Sequence, residues 1–600
     1  MTTRSDKRPV SRKNREAEKR RNIMKKTIVS LLLVLSLFLS AFALASCGKR
    51  SEAADETTAD NGATNPASDG GAGETDEATA AATTDKWETL AKKITMIAAR
   101  DRQLKFEFSS NHSAEKTSKN DIYLKGPDAI EVDVTPLIQQ MVYERNRTAN
   151  ELLGTTIDYV FWDYAWGSQA EQIDLVVKGN ASDAPDLFVN MLNELNRELV
   201  NGTFKDVWSI PGSFFDFSTP GWLDTWMKTL SFTGDRAYIL GSDYFLDVFR
   251  AIPLLPFNMT MMDKSAQKLA PAILPEGETL GAGEELTPYF FDLVDKGGWT
   301  WDVLGKICEA SWVDSDGDGA DSVNDTLGII ADEFGDGGQC AGSFIYSCGE
   351  TLTEAYPIED PTSEYNNKQW IKYADTSEGL NAIFDAVKAV FEGPGSFSTS
   401  YTFSGNTPEK PGIAYHQIKF AAGETLFAGV QLLGALEDDV FQQMEDLYSV
   451  VPCPKTDASK EYNTIIYSTG DAGAINVNAN PRKSRALSAY IQHCTENSPA
   501  IRDQFLQIVT KYKTTVYNQG TDRMLNIIYK AIRYGRDKTV DDLIGTSADR
   551  WHGFMRRERF LAGSEYISTQ YASYVPVKQK RLDKTMEKWY GLPKVEDNAE

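Results

Sequence analysis

The chain reads as an α/β protein, and three observations carry that reading. Apolar and polar residues alternate along Ile130-Glu131-Val132-Asp133-Val134 and, more loosely, along Thr156-Ile157-Asp158-Tyr159-Val160-Phe161. A period of two is that of a strand. Between these runs, residues 136–153 carry apolar side chains at helical spacing. Strand, helix and strand in succession predict βαβ units and a mainly parallel sheet. The pattern then recurs: Pro185-Asp186-Leu187-Phe188-Val189 and Val450-Val451-Pro452 read as strands, and 380–391, 481–494 and 522–534 as long helices. No internal repeat is visible.

The N-terminal region is of another kind. Met24-Lys25-Lys26 is a short positive segment, and residues 27–46 carry no charge. A basic start, an apolar stretch and small residues before a cut site describe a secretory signal. Leu44-Ala45-Ser46-Cys47 resembles the lipobox of bacterial lipoproteins. That resemblance implies cleavage before Cys47 and acylation of its thiol, palmitate being the expected class of chain, so that 1–46 is signal peptide. A stretch of this length also just spans a bilayer, so a transmembrane anchor is the competing reading. Ahead of Met24, nine Lys and Arg residues make either a long n-region or a segment before the true start at Met24. Residues 47–86 are rich in Ala, Thr, Asp, Glu, Gly and Ser and nearly devoid of large apolar side chains. Such a segment cannot offset its ordering entropy and is expected to be a disordered acidic tether, reaching roughly 30–40 Å.

Composition bounds the rest. The 600 residues are 41% hydrophobic and 11% aromatic, ordinary for a folded protein. A formal net charge of -24, with a pI near 4.8, argues against a nucleic-acid partner. The six cysteines include no CxxC pair. With Cys47 set aside five remain, and only Cys340 and Cys348 are spaced to close a small disulfide loop.

Several phrases then carry a family resemblance: Val142-Tyr143-Glu144-Arg145-Asn146, Ala184-Pro185-Asp186-Leu187-Phe188, Phe257-Asn258, Gly298-Trp299-Thr300-Trp301-Asp302, Phe420-Ala421-Ala422-Gly423-Glu424-Thr425-Leu426-Phe427 and Pro452-Cys453-Pro454-Lys455. In this order and spacing the chain resembles the extracellular solute-binding proteins of bacterial ABC importers, in the sugar-binding group similar to maltose-binding protein. Cys453 departs from the pattern of the last phrase. The resemblance implies a two-lobed periplasmic-binding-protein-like fold of type II with a ligand cleft between lobes. The first α/β lobe is expected at 87–256 plus 467–532, and the second at 257–466 plus 533–593. Open α/β sheets bind ligands beyond the carboxyl ends of their strands.

The sharpest local motif is Asp314-Ser315-Asp316-Gly317-Asp318-Gly319-Ala320-Asp321-Ser322-Val323-Asn324-Asp325. Counted from Asp314, carboxylates fall at positions 1, 3, 5 and 12 with glycine at 6, the spacing of an EF-hand-type calcium loop. The Ala320 carbonyl and Ser322 hydroxyl fill positions 7 and 9, and Asp325 stands where Glu is usual, as in dockerin loops. Ca2+ in a structural role is expected, the bland alternative being an acidic solvated turn.

A sugar offers an apolar face and a rim of hydroxyls, so its site needs aromatic platforms with carboxylates or amides. Trp162, Asp163, Tyr164 and Trp166 end a predicted strand and suit both needs. Asn190, Asp243, Tyr244, Asp471 and Trp551 are further candidates at expected strand ends. For any single one, core packing is the competing explanation. Four histidines, with no GxSxG, HExxH or Walker A loop, give catalysis little footing. The expected protein is not an enzyme. It is a monomeric receptor, lipid-anchored at the extracellular face of the cytoplasmic membrane, that captures a carbohydrate, an oligosaccharide for preference, and delivers it to an ABC permease. A surface carbohydrate-active enzyme, a binding protein for a solute such as a peptide, and a dockerin-like scaffold are the alternatives.

Overall fold

The computed structural model describes residues 86–110, 121–163, 167–332, 339–399, 415–511, 518–533, 535–545, 551 and 562–592. Two open α/β sheets organise them. The first has the order β12-β3-β1-β2, from Gln103–Ser110 (β1), Thr156–Asp163 (β2), Leu187–Met191 (β3) and Asp471–Ile475 (β12). Strands β1, β2 and β3 run parallel, and β12 pairs antiparallel with β3. The second has the order β10-β4-β9-β5-β8, with β11 also on β4. Its strands are Pro253–Asn258 (β4), Leu327–Asp332 (β5), Ser396–Thr399 (β8), Thr425–Phe427 (β9), Gln431–Leu432 (β10) and Tyr448–Val451 (β11). A separate hairpin pairs Thr353–Pro357 (β6) with Gln369–Tyr373 (β7).

The principal helices are Leu137–Leu153 (α1), Gln169–Gly179 (α2), Leu192–Glu198 (α3), Trp301–Ser311 (α4), Glu378–Glu392 (α5), Pro481–Glu496 (α6), Pro499–Lys511 (α7), Asn518–Lys530 (α8), Arg536–Ile544 (α9) and Gly563–Gly591 (α10). Helix α6 packs against α1 and β1, where Tyr490 meets Phe106 edge-on at 5.9 Å. Helix α3 packs on β3 and β12, and α4 on β5 and α5. The expected helices at 136–153, 380–391, 481–494 and 522–534 correspond to α1, α5, α6 and α8, and the strands at 156–161, 185–189 and 450–451 to β2, β3 and β11.

The expected strand at Ile130–Val134 is not formed. The Glu131 carbonyl accepts from both Val134 and Thr135 N–H (2.9 and 2.8 Å), and Thr135 Oγ1 accepts from Glu131 N–H at 3.0 Å. The segment therefore closes into turns before Pro136 caps α1, leaving Val132 and Val134 77% and 74% exposed. Its alternation had no sheet to bury it. The true first strand is β1, where Leu104, Phe106 and Phe108 alternate with Lys105 and Glu107.

The phrases that carried the resemblance are fixing points of this scaffold. Arg145 Nη2 and Asn146 Nδ2 donate to the Leu124 carbonyl at 3.1 and 2.8 Å, tying down a turn that precedes α1. Thr300 Oγ1 caps α4 by accepting from Val303 N–H (3.4 Å), while Trp299 and Trp301 are buried on either side. Trp299 Nε1 donates to the Pro452 carbonyl (2.9 Å) and Trp301 N–H to the Lys455 carbonyl (3.0 Å), so two phrases distant in sequence hold each other. Residues Phe420 to Phe427 run from the Tyr415–Ala421 helix into β9.

Candidate functional site

Because β1, β2 and β3 are parallel and in register, their carboxyl ends, Ser110, Asp163 and Met191, lie along one edge of the first sheet. Strand β12 runs the other way and begins at that edge, pairing Asp471 with Met191 and Ala472 with Asn190. Strand geometry thus gathers four predicted site residues, Trp162, Asp163, Asn190 and Asp471, from positions over three hundred apart in sequence. Tyr164 and Trp166, which continue from β2, lie outside the described residues, as do residues 111–120 after β1. The Trp162 ring is half-buried and tilts against Phe188 at 6.0 Å between centroids. Asn190 is fully buried, and its Oδ1 accepts from Met191 N–H at 3.0 Å. Asp471 N–H donates to Asp247 Oδ2 at 3.0 Å.

A residue absent from the expected set joins this edge. Glu107 of β1 is fully buried, and neither carboxyl oxygen has a hydrogen-bond partner of standard geometry. Burial first, and the neighbouring Asp471 charge second, push its pKa well above the usual carboxylate range, with the Asn190 amide opposing. Burial thus favours the neutral form, which can donate as well as accept. Its position in the sequence is on the face of β1 opposite Leu104, Phe106 and Phe108, where an acid would ordinarily read as solvent-facing.

The other three candidates are packed into the body of the protein. Asp243 is buried in an ion pair with Arg502 at 2.7 Å, and Arg502 lies over the Tyr529 ring at 4.6 Å. Burial raises the Asp243 pKa to about 7, against the pull of Arg502. Tyr244 is buried beneath the Arg145 guanidinium, 4.7 Å from its ring centroid. Trp551 is buried, stacked on Tyr571 at 5.6 Å with Lys578 Nζ over its ring at 4.3 Å. Cys348 is a free buried thiol that accepts from Trp301 Nε1 at 3.3 Å.

The acidic loop at 314–325 has a defined shape. It links α4 to β5, making a helix–loop–strand unit, and reciprocal Val313–Thr326 backbone bonds of 3.0 and 3.2 Å close its base. Gly317 and Gly319 adopt φ of 79° and 78°, which a side chain disfavours and which permit the sharp turn. Asp314 accepts from Gly317 and Gly319 N–H (2.6 and 3.0 Å) and Asp325 from Ser315 and Ser322 N–H (2.7 and 2.9 Å). Burial works to raise the Asp325 pKa, but those N–H groups prevail and lower it. Asp314, Asp316 and Asp325 each bring a carboxylate oxygen within 4.8 Å of the others, a spacing that fits one cation. Asp318 is turned to Ala320 N–H at 2.8 Å, and Ser322 Oγ donates to Asp316 at 3.2 Å. The loop abuts the amino ends of β5 and β8, where Asp321 Oδ1 accepts from Gly395 N–H at 2.7 Å.

Among the described residues no helix is long and apolar enough to cross a membrane. No protein-family model matches the chain, and no curated protein does. Solved structures do resemble it. The GacH receptor of Streptomyces glaucescens, known free and with acarbose, is 12% identical over 78% of this chain and 99% of that chain, with a TM-score of 0.37. MalE of Bdellovibrio bacteriovorus bound to maltotriose is 10% identical over 81% and 100%, with a TM-score of 0.41. The galacto-N-biose-/lacto-N-biose I-binding protein of the Bifidobacterium longum ABC transporter, in complex with lacto-N-biose, is 11% identical over 82% and 98%, with a TM-score of 0.43. Each of these three structures is known with a carbohydrate ligand.

Proposed function

We propose that the protein is a lipid-anchored extracellular receptor that captures a carbohydrate and hands it to an ABC permease. The observation that carries this reading is the placement of the family phrases. Each falls on an element that fixes the two-sheet scaffold, and the polar and aromatic candidates Trp162, Asp163, Asn190 and Asp471 gather at the carboxyl edge of the first sheet. That edge is where α/β sheets offer their ligand sites. In this reading Trp162, with Tyr164 and Trp166, supplies the platform for a sugar face, while Asp163, Asn190 and Asp471 address hydroxyls. The solute favours closure of the two halves by touching both. Cys47 carries the lipid, and residues 47–86 give the body its reach from the membrane. No bond is made or broken, so no catalytic group is required.

We further propose Ca2+ in the loop at 314–325, held by Asp314, Asp316 and Asp325 with the Ala320 carbonyl and Ser322 completing the shell, and by Asp318 if its carboxylate turns inward. The three converging carboxylates support it, since their mutual repulsion is relieved by a cation. Its position at the amino ends of β5 and β8 suits a structural role.

Thermal shift of residues 48–600 against mono- and oligosaccharides tests the main reading. A bound sugar at about 100 times its Kd adds roughly 2.7 kcal/mol. A sugar-specific rise without turnover is expected; no response to any glycan, or product release, would remove the reading.

A further inference from the structure

We propose that Tyr123 and Glu437 form a latch between the two sheets that holds the unliganded protein in the conformation described. The inference rests on the two-halved receptor reading above, and it is built on geometry distant in sequence from the sugar-site candidates.

Tyr123 belongs to a one-turn π-helix, Asp121–Lys125, packed on α1. The turn is held rigidly: its Leu124 carbonyl takes hydrogen bonds from Arg145 and Asn146, both buried, and Arg145 Nη1 also donates to Ser498 Oγ at 3.0 Å. The Tyr123 ring meets Phe505 of α7 edge-on at 5.5 Å. So anchored, its hydroxyl donates to Glu437 Oε1 at 2.7 Å. Glu437 ends a 3-10 turn, Leu433–Glu437, that follows directly on β10 of the second sheet. The contact therefore joins the α1 side of the first sheet to the second sheet.

Arg250 makes the contact a four-membered cluster. Its Nε and Nη2 donate to the two Glu437 oxygens at 3.2 and 3.3 Å, and its Nη1 to Asp247 Oδ1 at 2.7 Å. Asp247 in turn accepts from Asp471 N–H, at the start of β12. The helix Asp247–Arg250 packs on both β12 and the Leu433–Glu437 turn and leads into β4, so the cluster sits where the chain passes from one sheet to the other. With two carboxylates about one guanidinium, the phenol hydroxyl supplies a further donor to Glu437. Fit there is close: a Cβ on Gly434 would lie 3.0 Å from Arg250 Cβ and 3.1 Å from its Nη2. A hydrogen bond to a charged group, largely out of solvent, biases a two-state equilibrium far more than an exposed one.

The test reads the unliganded protein and needs no solute. Spin labels at Leu175→Cys of α2 and Lys306→Cys of α4, both exposed, report the distance between halves by pulsed electron paramagnetic resonance. The parent should show one distance, and Tyr123→Phe, which removes only the hydroxyl, should add a second distance holding at least about 10% of the population, the scale of an accessible minor state. Glu437→Gln should do the same, and Gly434→Ala should act from the other side of the cluster. Unchanged distributions in Tyr123→Phe and Glu437→Gln, with circular dichroism showing both folded, overturn the latch. Glycan titration of the same labelled protein addresses the receptor reading separately: lack of any sugar response would leave the unliganded distributions, and this inference, standing.

Discussion

Lys578 of α10 and Asp541 of α9 form an ion pair of 2.7 Å with side chains 0% and 1% exposed. Asp541 also accepts from the Tyr346 hydroxyl (2.6 Å) and Trp551 N–H (3.1 Å), and Lys578 covers the Trp551 ring. Two desolvated charges persist in such a place only with their remaining valences filled. Lys578→Met should therefore cost about 3–5 kcal/mol by leaving Asp541 buried without its cation. The double variant with Asp541→Asn should recover part of that in denaturant unfolding. A loss under 1 kcal/mol for Lys578→Met would show that Asp541 does not carry a charge in the fold.

Trp551 makes a second contrast with the carboxyl edge. Its burial beside Lys578 predicts that Trp551→Phe lowers Tm and leaves solute affinity intact. Trp162→Ala and Asp163→Asn should each raise the Kd of the best glycan tenfold or more, about 1.4 kcal/mol or above, and Trp162→Ala should also lower Tm because its ring packs on Phe188. Calorimetric titration of the three variants reads both quantities. Equal affinity losses in Trp551→Phe would move the site.

Calcium should raise Tm, and EDTA should reverse it. Asp325→Asn should abolish the response by removing a carboxylate whose oxygens also order Ser315 and Ser322 N–H. Since the loop adjoins the amino ends of β5 and β8, opposite the carboxyl ends, glycan affinity should survive EDTA within about threefold. A calcium response retained in both Asp325→Asn and Asp314→Asn would rule out the loop.

Acid should weaken the fold through His493. Its ring packs edge-on to Trp87 at 4.6 Å, and burial lowers its pKa to about 4, with Glu496 opposing. An unfolded histidine titrates near 6.5. Between these values the unfolded chain binds the extra proton, so this contribution is complete above about pH 6.5 and is lost as pH falls toward 4. The shift amounts to at most about 3 kcal/mol. His493→Gln should flatten the fall in Tm between pH 6.5 and 4.5; an unchanged slope would place the acid sensitivity elsewhere, the buried His416 first.

Much of the scaffold was legible because its signals are local. Thr300 caps α4 and Gly317 turns the acidic loop, both within one short phrase. The failures were tertiary. Ile130 to Val134 has the alternation of a strand and lacks a sheet, while β1, with Leu104, Phe106 and Phe108 alternating with Lys105 and Glu107, has neighbours on both sides.

By itself the sequence determined the α/β class, the principal helices, the signal-like N-terminus and the spacing of the acidic loop, since period, capping and turn chemistry depend on neighbours along the chain. Tertiary structure alone decided that Asp471 lies beside Met191, that Asp243 and Trp551 are spent on buried charges, and that Tyr123 meets Glu437 across 314 residues. Register and burial are set by which surfaces meet, and no local pattern specifies that.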